Sequence, residues 1–200
     1  MDTLFSNDRI TFNLKDAEIV YYPDFFTEQE ANAFFEKLLT ETPWQQDPIT
    51  IFGKKHLQPR LTALFGNNEK PYSYSGITMQ PHPYTELLLQ IKSKVEHELN
   101  YNFTSVLLNL YRDGKDSNGW HADNEKELGR NPIIASVSFG AARNFQLKHN
   151  TDKSQKLNIL LENGSLLLMK GSTQHHWKHQ IPKTTKPLNP RINLTFRTIS

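Results

Sequence analysis

The side chains of this chain best suited to chemistry are His121 and Asp123, which close a glycine-punctuated loop, Asp113-Gly114-Lys115-Asp116-Ser117-Asn118-Gly119-Trp120-His121-Ala122-Asp123. On extended backbone, residues i and i+2 point to the same side, so imidazole and carboxylate share a face. Two such donors can bind one metal ion and leave most of its coordination sphere open. A third donor must come from downstream, where the histidines are His149, His175, His176 and His179. His149 lies in a polar hairpin turn, His149-Asn150-Thr151-Asp152, and reads as a solvated surface residue. Read as one strand, Gln174–Ile181 places His175, Trp177, His179 and Ile181 on one face. Gln174, His176, Lys178 and Gln180 form the other, wetter face. The third donor is then His175 or His179, and His179 lies beside Ile181-Pro182, where the strand ends at the rim of a pocket.

Two histidines and one carboxylate with open positions form the facial triad of non-haem Fe(II) oxygenases. The C-terminal strand strengthens that reading. In Arg191-Ile192-Asn193-Leu194-Thr195-Phe196-Arg197 every odd position is polar and every even one apolar. Ile192, Leu194 and Phe196 must face a packed core. Arg191, Asn193, Thr195 and Arg197 face either solvent or an interior pocket with two guanidinium forks, a geometry that grips carboxylates bidentately. An enzyme using Fe(II) and 2-oxoglutarate needs such a counter-charge for the far carboxylate of its cosubstrate. Asn109 and Tyr111, on one face of the strand ahead of the ligand loop, would add neutral hydrogen bonds.

The elements that must position these groups are legible from periodicity. In Ser105–Tyr111, Leu107, Asn109 and Tyr111 share one face and Val106, Leu108 and Leu110 the other. Short strands follow at Ile133–Phe139, Ala142–Lys148, Leu157–Leu161, Ser165–Lys170 and Arg191–Arg197, separated by Gly, Asn and Pro turns. Ahead of them, a short strand is expected around Ala17–Tyr22. A helix opens on the capping box Thr27-Glu28-Gln29-Glu30 and runs to about Thr40. Residues 44–79 read as short strands and turns, and a second helix spans about Tyr84–Leu99. Helices ahead of six or seven strands predict an α+β fold built on a double-stranded β-helix of jelly-roll or cupin type. One domain is expected, with residues of about 1–100 as an extension and about 101–200 as the jelly-roll core.

Composition narrows the classes. The chain has no cysteine, which excludes disulfides, thiolate metal sites and cysteine nucleophiles. A formal net charge of +2 announces no polyanion by itself, so any basic surface must be local. No secretory run opens the sequence and no apolar stretch has the length of a membrane span, so a soluble intracellular protein with no membrane partner is expected, cytoplasmic in a bacterium or nuclear in a eukaryote.

Taken together, Asn109-Leu110-Tyr111, His121-Ala122-Asp123, Ser136-Val137-Ser138-Phe139-Gly140, Gly164-Ser165-Leu166-Leu167, Trp177-Lys178-His179 and Pro190–Arg197 resemble the AlkB family of Fe(II)/2-oxoglutarate-dependent nucleic-acid demethylases. The likeness is to the members that repair double-stranded DNA. It covers the last hundred residues continuously and extends weakly through Ile51-Phe52-Gly53-Lys54 and Tyr72–Gly76. It implies that His179 is the third ligand beside His121 and Asp123, and that Arg191 and Arg197 bind 2-oxoglutarate with Asn109, Tyr111 and Asn193. It implies Fe(II), with 2-oxoglutarate and O2 as cosubstrates. The implied reaction hydroxylates an N-methyl group on 1-methyladenine or 3-methylcytosine, releasing succinate and formaldehyde. The first hundred residues would then supply a nucleotide-recognition lid. There Tyr72, Tyr74 and Ser75 meet a flipped base, Phe52 and Gly53 tip a hairpin that wedges into the base stack, and Lys54, Lys55 and Arg60 suit phosphates. Glu125 occupies the place of an acidic residue that reads the base edge, beside Asn124, which is not acidic. The expected partner of this monomer is alkylated DNA, single- or double-stranded; the same chemistry on RNA or another substrate is the alternative.

Overall fold

The structure, a computed structural model, describes residues 9–51, 54–67, 72–74 and 77–199, and at 50, 51 and 72–74 it describes the backbone. In chain order the elements are β1 (Ile10–Leu14), β2 (Ala17–Tyr22), α1 (Glu28–Glu41), β3 (Pro48–Ile51), β4 (Lys54–Leu57), β5 (Leu61–Gly66), β6 (Tyr72–Tyr74), β7 (Ile77–Met79) and α2 (Glu86–Leu99). They continue as β8 (Ser105–Tyr111), β9 (Asn118–His121), β10 (Ile134–Gly140), β11 (Arg143–His149), β12 (Lys156–Leu161), β13 (Ser165–Lys170), α3 (Thr173–His176), β14 (Trp177–Ile181) and β15 (Arg191–Arg197).

Two antiparallel sheets face each other. The larger has the order β1-β2-β13-β10-β15-β8-β5 and the smaller β12-β11-β14-β9. β3-β4 and β6-β7 form two separate hairpins. This is the expected jelly roll with helices packed outside. The larger sheet draws β1, β2 and β5 from the first hundred residues. Among the described residues no helix is long and apolar enough to cross a membrane.

The helices follow their local signals. Thr27 and Glu30 close the capping box: Glu30 N–H donates to Thr27 Oγ1 at 3.2 Å and Thr27 N–H to Glu30 Oε2 at 2.8 Å. Thr85 caps α2 through the Leu88 N–H, and Asn100 ends it in the left-handed region at φ 47°. Both helices bury apolar stripes, Ala31 and Leu38 from α1 and Leu88, Ile91 and Val95 from α2, in a core beneath the larger sheet. Strand alternation sorts the rest. Val106, Leu108, Leu110, Ile192, Leu194 and Phe196 join the helices in that core, whereas Leu107, Tyr111, Phe145, Leu147 and Trp177 pack between the sheets. Every residue of β15 is buried. Its polar face therefore looks into the molecule and not into solvent, which decides the choice that periodicity left open.

Gly140 shows why this frame is tight. It sits at φ 84°, and a Cβ there would lie 2.6 Å from both the Phe35 ring and the Pro190 carbonyl oxygen.

Two sequence expectations are corrected. Gln174–Ile181 is not one strand: Thr173–His176 form a helical turn, and only Trp177–Ile181 are extended. His149 is not a solvated turn residue, because its side chain is 2% exposed. Its Nδ1 accepts the Asp152 N–H at 3.0 Å, so the hairpin folds over the ring.

Candidate metal and cosubstrate site

β9 and β14 are neighbours in the smaller sheet, with His121 directly opposite His179. Asp123 follows β9 and enters the space between the sheets. The ligand atoms of His121, Asp123 and His179 all lie within 4.8 Å of one another. Nε2 of His121 and of His179 are 3.1 Å apart, and His121 Nε2 is 3.8 Å from Asp123 Oδ1. His121 Nδ1 faces the Gly119 carbonyl at 2.7 Å and must donate to it, which leaves Nε2 as the lone-pair nitrogen. Burial holds His179 down at about 3, so it is neutral at ordinary pH. Two imidazole nitrogens this close, backed by a carboxylate, form a donor set that fits one divalent ion.

His175, the alternative ligand, is exposed, and its Nε2 accepts the Asn131 N–H at 3.4 Å. It takes no part in this cluster. The helical turn of α3 is the reason, because it breaks the alternation that had placed His175 and His179 on one face.

The carboxylate is held from behind. Arg197 Nη2 ion-pairs with Asp123 Oδ2 at 2.9 Å, leaving Oδ1 toward the histidines. Burial alone would raise the Asp123 carboxyl, but Arg197 and the two histidines together outweigh it and keep the group well below the usual carboxylate range. The Asp123 N–H donates to Gln174 Oε1 at 2.9 Å. Gln174, read as a wet-face residue, is thus buried and fixes the ligand loop.

One cavity includes His121, Asp123, His179 and Arg197, lined also by Arg60, Asn109, Tyr111, Glu125, Ser136, Met169, Arg191, Asn193 and Thr195. Its polar floor is a continuous network. Arg60 Nε donates to Asn109 Oδ1 at 2.8 Å, and Asn109 Nδ2 to Asn193 Oδ1 at 3.4 Å. Asn193 Nδ2 donates to Ser136 Oγ at 2.8 Å, and Thr195 Oγ1 donates to Asn193 Oδ1 at 2.9 Å. Arg191 is 1% exposed. Its Nη2 donates to Ser138 Oγ at 2.9 Å, while Nε and Nη1 are buried with no hydrogen-bond partner among the described residues. Burial lowers it to about 10, still charged at neutral pH. A buried guanidinium with two unmet donors is costly unless an anion arrives. A small carboxylate is the ligand this end of the cavity fits, and it would lie in the same cavity as the donor set.

Of the residues expected to meet substrate, Glu125 lines the cavity, Asn124 is exposed outside it, and Lys54 is exposed on β4. Tyr72 and Tyr74 lie on β6. Phe52, Gly53 and Ser75 fall outside the described residues. Arg60 differs from its reading as a phosphate contact: it is 6% exposed and points into the cavity. No local signal in the sequence marks that placement. Ser136 and Ser138 could have been found, since they alternate with Ala135, Val137 and Phe139.

A second group, Asp16, His149 and His176, also brings its ligand atoms within 4.8 Å. Its tautomer argues against a metal. His149 Nδ1 accepts two backbone N–H groups, from Asp152 at 3.0 Å and Thr151 at 3.3 Å. The ring proton is therefore on Nε2, 3.3 Å from Asp16 Oδ2, where it is a donor and not a ligand. The group is a clamp between the β1–β2 turn and the end of β11.

Comparison with known proteins agrees with this geometry. The 2OG-Fe(II) oxygenase superfamily matches residues 18–197. The chain is 42% identical over 192 residues to the human alpha-ketoglutarate-dependent dioxygenase alkB homolog 3, covering 92% of this chain and 66% of that protein. The bovine counterpart is 45% identical over 88% of this chain and 64% of its own length. The human DNA oxidative demethylase ALKBH2 is 37% identical over 89% of this chain and 72% of its own. The chain thus spans just under two thirds of the alkB homolog 3 proteins it matches. The solved structure of OsALKBH1 superposes with a TM-score of 0.67 at 18% identity, over 94% of this chain and all (100%) of that one. A prolyl hydroxylase from Trichoplax adhaerens superposes at 0.62 and 13% identity, over 90% of this chain and 83% of that one, which speaks to the fold. With its family matched over residues 18–197 and a His-Asp-His donor set sharing one cavity with the buried Arg191, this chain belongs to the 2OG-Fe(II) oxygenase superfamily, among the AlkB homologues.

Proposed function

We propose that the protein is an Fe(II)/2-oxoglutarate-dependent dioxygenase that removes N-linked methyl groups from bases such as 1-methyladenine and 3-methylcytosine in DNA. The observation that carries this reading is the cavity in which the His121, Asp123 and His179 donor set shares walls with a buried, half-satisfied Arg191. When bound, iron supplies the oxidising power, drawn from O2 and 2-oxoglutarate, that hydroxylates the methyl group. The hydroxymethyl amine then falls apart to formaldehyde and the unmodified base.

The chain's own residues do the positioning. His121 and His179 offer their Nε2 atoms, and Arg197 helps keep Asp123 ionised and presents one oxygen to the metal side. Arg191 holds the far carboxylate of 2-oxoglutarate through Nε and Nη1, and Tyr111, 5.3 Å from its guanidinium, screens that charge from the apolar core. Asn109 and Asn193 bind cosubstrate oxygens, and Arg60 orients Asn109. Glu125, at the wall of the cavity, accepts from the exocyclic amine of the base. Lys54 and Lys55 on the exposed strand β4 contact phosphates. DNA as substrate follows the human relative ALKBH2, a DNA oxidative demethylase. Such an enzyme works inside the cell, where the nucleic acid is.

The test is direct. Protein purified without oxygen is given Fe(II), 2-oxoglutarate and oligonucleotides bearing 1-methyladenine, single- and double-stranded, and also an RNA of the same sequence. Formaldehyde and succinate formed together, dependent on both additives, are expected with DNA. Succinate without formaldehyde on every nucleic acid would overturn the substrate class. No succinate under any condition would overturn the chemistry.

A further inference from the structure

The outward face of the smaller sheet carries a charge pattern that folding does not reward. In register, Lys156 stands opposite Lys148, and Lys148 opposite Lys178, so three lysines line up across β12, β11 and β14. Neighbouring strands are about 4.8 Å apart. Like charges directly opposite on a sheet destabilise it. Among the described residues none of the three has a carboxylate within ion-pair distance.

The rest of the face is uncharged. Asn144, Gln146, Asn158, Leu160 and Gln180 fill the outward positions, and Gln180 Nε2 donates to Gln146 Oε1 at 2.6 Å. The one carboxylate of the β11–β12 turn, Asp152, is taken up by Ser154, whose N–H lies at 3.1 Å and Oγ at 2.6 Å. On β9, Trp120 is 38% exposed, and Lys148 Nζ sits 4.1 Å from its ring centroid. Trp120 immediately precedes His121 and so lies on the opposite face of the same edge strand. The lysine row begins one strand's thickness from the cavity that Asn118 and His121 line.

Resting on the reading of the substrate as nucleic acid, we propose that this face binds a single-stranded nucleic-acid tract flanking the nucleotide held in the cavity, with the lysine row on phosphates and Trp120 stacked on an unpaired base. A polyanion removes the repulsion that the register imposes. An exposed indole beside a lysine row is the kind of platform that sequence-tolerant single-strand binders use, since every base offers a π face. A duplex keeps its bases paired and gives Trp120 nothing to stack on.

The experiment compares the protein with the K148Q/K156Q/K178Q and Trp120→Ala variants, without 2-oxoglutarate, by fluorescence anisotropy over a range of salt. The probes are single strands of about 5 and about 15 nucleotides with one central 1-methyladenine, and the longer one as duplex. The unaltered protein should bind the longer single strand about tenfold or more tightly than the shorter. The triple variant should lose that gain, with the salt slope falling by about 2, three phosphates at about 0.7 each. Trp120→Ala should weaken the long single strand at least about fivefold and leave the salt slope unchanged. Turnover of the short strand should be the same in all three proteins, and that turnover checks the substrate class independently of the surface. An unchanged slope and length dependence in the triple variant would overturn the surface while leaving the demethylase reading standing. Equal losses on duplex and single strand would overturn the single-strand assignment.

Discussion

Replacing Arg191 by methionine separates a cosubstrate anchor from a structural cation, because the two predict opposite signs. The guanidinium is 1% exposed and donates to Ser138 Oγ, with Tyr111 alongside and Nε and Nη1 without a partner within hydrogen-bond distance among the described residues. Without 2-oxoglutarate it is a buried charge short of partners. Exchanging such a group for an apolar one of similar length is often neutral or stabilising by about 1–4 kcal/mol. With 2-oxoglutarate the same change removes one side of a buried, hydrogen-bonded charge pair, a cost of about 2–5 kcal/mol. The low end corresponds to roughly thirtyfold in dissociation constant. At a cosubstrate concentration of about 100 times the original Kd, the unaltered protein gains about 2.7 kcal/mol. A variant binding thirtyfold more weakly gains about 0.9 kcal/mol. For a chain this long that difference is about 4–7 °C in Tm. Scanning fluorimetry under anaerobic Fe(II), with and without 2-oxoglutarate, reads both halves. Arg191→Met should melt no lower than the parent alone and show most of the cosubstrate-induced shift lost. A lower Tm alone together with an undiminished shift would refute the argument, and Arg191 would be a staple for Ser138 and Tyr111.

His121→Ala, Asp123→Ala and His179→Ala should each abolish turnover with the fold intact by circular dichroism, whereas His175→Ala, on the surface, should retain it; a reversed result for His175 and His179 would break the ligand assignment. In the metal-free protein His179 is held at about 3 against an ordinary 6.5, so the unfolded state takes up its proton first as pH falls. Stability should be level above about pH 6.5 and decline below it by at most roughly 1.4 kcal/mol per unit, a slope that His179→Gln should flatten in urea titrations at pH 7 and pH 4.5. His149→Ala should cost about 1–3 kcal/mol, because it orphans the Asp152 and Thr151 N–H groups beneath the hairpin, while His176→Ala, half exposed, should cost under about 0.5 kcal/mol in the same titration. Thr27→Ala should remove about 1 kcal/mol through the lost capping box, with no effect on cosubstrate binding.

What the sequence by itself determined lies where local rules and the final environment coincide. The alternation of Arg191–Arg197 defines a two-faced strand because period-2 geometry is a property of the backbone, and it holds residue for residue in β15. The capping box of α1 and the i, i+2 pairing of His121 with Asp123 are local in the same sense. What lay beyond local reading depended on residues distant in sequence. Whether the polar face of β15 met solvent or a cavity was decided by the smaller sheet closing over it. The choice between His175 and His179 turned on α3, four residues too short to carry a helical period and formed against β2 and β13. His149, polar among polar neighbours, was buried by a hairpin that folds its own N–H groups onto the ring. Arg60 reached the cavity because β5 pairs with β8, which brings it to Asn109, 49 positions away. The lysine row exists in no single segment: Lys148, Lys156 and Lys178 become neighbours through the register of three strands, and pairing of that kind is set by the packed faces behind the sheet.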